Sequence, residues 1–178
     1  ELTKAFGLYQ PRIPLREPAT IVNADALTTD WESVVPKEKL SYILRNPPFV
    51  GARIMSKDQK ENFLKLFDGA KGAGNLDFVT AWYEKASSYT FGTKIKTAFV
   101  STNSICQGEQ VGILWKRLKE KYGVVIHFAH QTFKWTNDAP GVAAVYCIIV
   151  GFTTFDINKK YLFEYETVKS EPKEKEVE

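Results

Sequence analysis

Leu40-Ser41-Tyr42-Ile43-Leu44-Arg45-Asn46-Pro47-Pro48-Phe49 is the stretch from which the rest of the chain is best read. Leu40 to Leu44 is short and β-prone. Arg45-Asn46-Pro47-Pro48 stops it, because two prolines cannot donate the ladder hydrogen bonds of a paired central strand. A strand is therefore expected to end here, with a rigid loop beyond it.

Working outward, strand and helix patterns alternate. Upstream, Ala19-Thr20-Ile21-Val22 is a short β-prone run leading into the polar turn Asn23-Ala24-Asp25, which places Asp25 at the carboxyl end of a strand. Downstream, Ser56 is an N-cap for an amphipathic helix to Phe67 that Gly69 ends. Residues 71–74 form a loop. Leu76, Val79, Trp82, Tyr83 and Ala86 fall at helical spacing over 76–89. Residues 96–102 read as a strand, about 108–121 as a helix closing on Gly123, and 124–129 and 141–152 as two more strands joined by 130–140. Such alternation predicts a doubly wound, mostly parallel α/β sheet, whose ligands bind beyond the carboxyl ends of the strands. Asp25, Asn46 and Asn103 all fall at such ends.

The 178 residues, 44% hydrophobic and 13% aromatic, suffice for one α/β core and leave no room for a second full domain. We expect an extended arm over 1–18, which carries Pro11, Pro14 and Pro18. The folded unit is expected over 19–168, and a solvated charged tail over 169–178. A net charge of +3 permits a polyanionic partner without demanding one. No apolar run of about 18 residues and no leader pattern occur, which suggests no membrane span and a cytoplasmic protein. Cys106 and Cys147 lack metal-ligand spacing, so we expect free thiols and no metal site. The chain begins at Glu1 and is expected to be a fragment. No internal repeat is evident.

The chemistry concentrates in Asn46-Pro47-Pro48-Phe49. The prolines remove two N–H donors, so the loop presents mainly carbonyl oxygens and the Asn46 side chain. A ring-conjugated amine, such as that of adenine, has a delocalised lone pair and is a poor nucleophile. If the Asn46 carboxamide oxygen and the Pro47 carbonyl each accept one of its hydrogens, the nitrogen is favoured as pyramidal and can attack an electrophilic methyl group in line. Phe49 can stack on the ring. The plainer reading is a strand-ending turn, a common use of Asn before Pro.

The loop and its flanks resemble the class I S-adenosylmethionine-dependent amino methyltransferases. Strand plus Asn46-Pro47-Pro48-Phe49 is similar to motif IV, which also occurs in enzymes that methylate glutamine side chains or guanine amines. Asn23-Ala24-Asp25-Ala26-Leu27 resembles motif III, whose acidic residue accepts from the cofactor's adenine amine. Residues 75–83 resemble the motif V helix, 98–110 the motif VI strand and turn, and 128–135 the motif VIII region. Together, over roughly 19–152, they resemble the large DNA adenine-N6 methyltransferases of type II restriction-modification systems that are fused to an endonuclease. These strings disfavour protein-glutamine or RNA methylation.

The resemblance implies a partial Rossmann-like sheet whose last strand runs antiparallel. It implies that Asn46, Pro47, Pro48 and Phe49 are catalytic and that Asp25, Ala26, Asn46 and Pro48 bind S-adenosylmethionine. Phe49 and Phe133 would stack on an adenine flipped out of double-stranded DNA, with Trp135 the alternative to Phe133. His130 reads as structural, since methyl transfer needs no strong base beforehand. Cys106 lacks the preceding prolines of a cytosine-C5 nucleophile.

The sequence departs from the family in having no glycine-rich motif I and no acidic motif II residue. The first two strands of the sheet are thus missing, and residues 19–24 must be unpaired, rearranged or matched elsewhere. An upstream motif I segment and a downstream recognition domain are the expected partners, and the chain alone is expected to be inactive. The alternative is a non-catalytic DNA-binding or subunit-interaction remnant of the fold.

Overall fold

The computed structural model describes residues 19–135, 145–167 and 170–177. The arm over 1–18 and residues 136–140 of the 130–140 connection lie outside the described residues, as do residues 141–144 of the last expected strand. One six-stranded mixed sheet organises the rest: β1 (Tyr42–Arg45), β2 (Lys96–Thr102), β3 (Val125–Trp135), β4 (Val145–Thr153), β5 (Lys160–Glu164) and β6 (Lys173–Val177). Their spatial order is β1-β2-β4-β3-β5-β6. β1 and β2 are parallel, as are β3 and β5, while β4 runs antiparallel to β2 and β3, and β6 to β5. Four of the six strands therefore point one way, and β4 is the antiparallel strand the resemblance implies.

The helices are α1 (Trp31–Val34), α2 (Lys57–Leu66), α3 (Thr80–Thr90), α4 (Gly108–Gln110) and α5 (Lys116–Tyr122), with a π-helical stretch, Val111–Trp115, joining the last two. Ser56 caps α2 in a reciprocal capping box with Gln59, each side chain bonded to the other's backbone. Gly123, at φ 65°, ends α5 in the left-handed conformation that glycine adopts without strain. One apolar core joins these helices to the sheet, with Phe63, Phe67, Val79, Tyr83, Leu114 and Leu118 meeting Phe99, Val150 and Phe152. The Tyr83 ring stacks on Phe152 at 5.2 Å and meets Phe99 edge-on at 5.1 Å.

Four expectations are corrected. Residues 19–22 form no strand, and Ile21 is 87% exposed; β-propensity cannot hold a strand without a neighbour to complete its ladder. Asp25 therefore sits in a turn and not at a strand end. The helix expected from Leu76 starts at Thr80, because Ala73–Asn75 is a separate tight turn. β3 runs on to Trp135, accommodated by register shifts near Phe128 and after His130. The charged run expected outside the fold supplies β6, whose five exposed residues pair with β5, and the Lys159–Glu176 ion pair at 3.3 Å flanks the ladder. Alternating Lys and Glu have no apolar signature, yet their backbone can still extend an edge.

β1 is the opposite edge. Among the described residues no strand pairs with its outer side, and Leu44 is 74% exposed there. No helix among the described residues is long and apolar enough to cross a membrane.

Candidate functional site

β1, β2, β3 and β5 all finish at one end of the sheet, and the candidate residues gather along that end. The cross-strand register runs Arg45–Phe99–Val150–Ala129. Asn46 follows Arg45 directly and is exposed, as is Pro48. Pro47 is buried, and Phe49 is half-buried against the core, so part of its ring is committed to packing.

The loop is fixed at both ends. Its start is set by the pairing of Arg45 with Phe99. Beyond its end, the Phe78 N–H donates to the Val50 carbonyl at 2.9 Å and the Ala52 N–H donates to Asp77 Oδ1 at 2.9 Å. The other carboxylate oxygen, Asp77 Oδ2, accepts from Ser104 Oγ at 2.6 Å and Gln110 Nε2 at 3.1 Å. The Asp77 N–H donates to Gln110 Oε1 at 3.2 Å, and Ser104 Oγ lies 2.8 Å from Thr102 Oγ1 at the end of β2. One half-buried carboxylate thus joins three segments that are far apart in sequence. The apolar spacing from Leu76 hides Asp77 inside a helix, whereas it precedes the helix that starts at Thr80; an acidic residue just ahead of an apolar helix is the signal the sequence carries.

The Asp25 turn is docked on α3. Asp25 Oδ1 accepts from the Leu27 N–H at 2.9 Å, and the Ala26 carbonyl accepts from Trp31 Nε1 at 2.8 Å. Lys85 Nζ donates to the Leu27 and Thr29 carbonyls at 2.7 and 2.6 Å. Burial lowers the Lys85 ammonium from its ordinary range, and Asp25 and Asp30 oppose that shift. Between this turn and β1 lies a cleft of about 380 Å³, walled by Ala24, Ala26, Trp31, Leu44 and Arg45 among others. The structure thus brings the predicted cofactor residue Ala26 and the strand leading into Asn46 to the walls of one cleft.

S-adenosylmethionine fits what is present in part. Asp25 is an exposed carboxylate beside a largely apolar cleft, a suitable acceptor next to a purine face. The sequence offers no glycine-rich cradle for the methionine end.

Phe133 stands farther off. Its register, Phe133–Cys147–Thr102, puts it at the same end of the sheet as Asn46. Three strand spacings, about 14 Å, separate β3 from β1. Its ring lies 6.2 Å from that of Trp135 and 5.9 Å from that of Tyr165. His130 stacks on Phe163 at 4.5 Å, with Nδ1 2.6 Å from the Tyr165 hydroxyl, a structural placement. Burial of its sulfur pushes the Cys106 thiol up, the wrong direction for a nucleophile, although the residue as a whole is exposed. No cluster of metal-ligating side chains occurs among the described residues.

The family described as MmeI, DNA-methyltransferase domain, matches residues 1–164. DNA methyltransferase A of Bacillus subtilis (strain 168) is 41% identical over 169 residues, covering 93% of this chain and 19% of that protein. The structure of the type IIL restriction-modification enzyme MmeI in complex with DNA superimposes with a TM-score of 0.85 at 47% identity, covering 98% of this chain and 23% of that one. The type IIG restriction endonuclease BpuSI, at TM-score 0.54 and 15% identity over 78% of this chain and 17% of that one, shares the fold alone. The chain spans about a fifth of the length of these relatives.

Proposed function

Since the chain belongs to the MmeI DNA-methyltransferase domain family, we propose that it supplies the amine-binding half of a restriction-modification DNA methyltransferase acting at adenine N6. The observation that carries this reading is the Asn46-Pro47-Pro48-Phe49 loop, held at both ends beyond β1 and beside the cleft under the Asp25 turn. Two acceptors that take both of its hydrogens are what an amine must meet before it can be alkylated.

Asn46 Oδ1 and the Pro47 carbonyl take the two amine hydrogens and orient the nitrogen lone pair. Phe49 and Phe133 hold the faces of an adenine flipped out of double-stranded DNA. Asp25 and Ala26, with Asn46 and Pro48, hold S-adenosylmethionine, which supplies an electrophilic methyl group when bound. As the nitrogen is alkylated it becomes acidic, and its proton leaves to solvent without a dedicated base. A motif I segment and a DNA-recognition domain elsewhere in the same cytoplasmic protein complete the pocket, so the 178 residues alone transfer no methyl group. The second reading is a non-catalytic remnant that binds DNA or another subunit; a glycine-rich strand-loop upstream in the full-length protein discriminates the two.

The test is calorimetric titration of S-adenosylmethionine into this chain and into a version extended upstream, with methyl transfer measured on adenine-containing duplex. Binding and transfer by the extended protein alone, with Asn46→Ala abolishing transfer while cofactor still binds through the remaining contacts, supports the enzyme. An extended protein that neither binds nor methylates leaves the remnant.

A further inference from the structure

The segment that carries the amine acceptors is pinned by a residue outside it. We infer that Asp77 is a positioning residue, whose carboxylate sets where Asn46 and the Pro47 carbonyl stand at the end of the sheet. The inference deepens the reading of residues 46–49 as an amine-binding loop and rests on it. Asp77 Oδ1 holds the Ala52 N–H, and the neighbouring Phe78 N–H holds the Val50 carbonyl, so residues 50–52 are tied to the start of α3. Asp77 Oδ2 in turn holds Ser104, in the turn after β2, and Gln110, at the end of α4.

The height of the loop above the sheet is therefore measured against β2 twice, once through the pairing of Arg45 with Phe99 and once through Asp77, Ser104 and Thr102. Four residues separate Arg45 from Val50, and the two prolines leave them little freedom in φ. Anchored on one side only, such a segment could pivot about Arg45 and move both acceptors together. Anchored on both sides, it holds them before substrate arrives, the preorganisation that acceptor pairs need. Hydrogen bonds to a charged acceptor suit this role, being shorter and stronger than neutral ones. Lys60 adds a longer contact to the Ala52 carbonyl at 3.5 Å.

Asp77→Ala in the full-length enzyme should lower the single-turnover methylation rate by about 100-fold, the scale of a 1 Å misplacement, with a far smaller loss of affinity for S-adenosylmethionine and for duplex DNA, which keep their contacts outside the loop. Ser104→Ala, which removes one of the three hydrogen bonds that the Asp77 carboxylate accepts, should lower the rate several-fold and serves if Asp77→Ala does not fold. Glu84→Gln, in a buried ion pair away from the loop, is the control: it should lower the unfolding temperature and leave the rate per folded molecule unchanged. An Asp77→Ala enzyme, or failing that a Ser104→Ala enzyme, that loses thermal stability but keeps the wild-type rate overturns the inference. Asn46→Ala is run alongside. If Asn46→Ala retains activity, the amine-binding reading has failed; if it is inactive while the Asp77 and Ser104 variants run at wild-type rate, only the positioning role has.

Discussion

Arg117 grips Glu84 with both arms of its guanidinium, Nε to Oε2 at 2.9 Å and Nη2 to Oε1 at 2.8 Å, in a site where Glu84 is 1% exposed. Tyr122 donates a further hydrogen bond to Oε1 at 2.8 Å, and Lys121 approaches the same oxygen at 3.4 Å. The hydrogen bond to Glu84 holds the Arg117 guanidinium above its ordinary range. α3 and α5 are thus joined by a buried bidentate pair, with Asp68 just outside it on Arg117 at 3.3 Å.

Breaking one side of that pair should cost far more than replacing both. Glu84→Ala leaves a guanidinium partly buried without its main partner, and we expect a loss of about 3–5 kcal/mol in urea or thermal unfolding. Glu84→Leu combined with Arg117→Met should lose less than Glu84→Ala alone. A double variant less stable than the single would show that the pair is itself a source of stability.

Gly151 lies beneath the Phe128 ring. A Cβ there would fall 2.1 Å from Phe128 Cε1 and 2.3 Å from Cδ1, so Gly151→Ala must displace the ring or spread β3 from β4. The expected cost is about 1–3 kcal/mol. Adding Phe128→Ala should relieve part of it, giving a double variant more stable than the sum of the singles implies. Strict additivity would mean that the two do not meet.

If Phe133 closes over the flipped base, Phe133→Ala removes a stacking platform worth about 1–3 kcal/mol. We expect a roughly tenfold to hundredfold rise in KM for duplex DNA, and a changed fluorescence of 2-aminopurine placed at the target position. Trp135→Ala, on the neighbouring ring, tests the alternative. An unchanged KM and signal in Phe133→Ala would assign its ring to packing against Tyr165.

Stability should fall as the solution is acidified past neutrality. His127 and His130 both titrate below the ordinary imidazole range because burial disfavours the cation, and Lys96 adds to the effect at His127. The folded state therefore favours neutral rings, while the unfolded chain takes up protons near pH 6.5. Their contribution is present above about pH 6.5 and is lost as the pH falls through the depressed folded values. Unfolding midpoints measured between about pH 8 and pH 5.5 should decline at the acid end, and the decline should flatten in His127→Gln/His130→Gln. An equal decline in that variant would place the titration on other groups.

Much of this architecture was visible in the sequence because its signals are local. Two prolines after an apolar run mark the end of β1 whatever surrounds them, and Ser56 ahead of an amphipathic run marks the start of a helix. What stayed hidden depends on partners. Ile21 and Val22 have strand composition, yet a strand needs a neighbour, and among the described residues they have none. Lys173–Val177 has the composition of a tail and becomes a strand because the backbone of β5 accepts it. The same holds at the candidate site. Asn46 announces itself beside two prolines, whereas the carboxylate of Asp77 gains its role only when Ala52, Ser104 and Gln110, up to 33 positions away, fold around it.

The π-helical stretch Val111–Trp115 gives the chain a sensitivity to length that no substitution reveals. A π turn holds more residues than an α turn over a similar rise, and here it lets Trp115 Nε1 reach the Ile105 carbonyl at 2.9 Å while Leu114 and Leu118 both face the core. Deleting one residue would let the helix close up as ordinary α-helix. Everything downstream would then turn by about 100°, carrying Arg117 away from Glu84 and Tyr122 out of the interior. Val111 and Gly112, both exposed, should accept almost any side chain suited to a helix surface, yet neither position can be omitted. At Val111 and Gly112 the number of residues matters more than which residues they are.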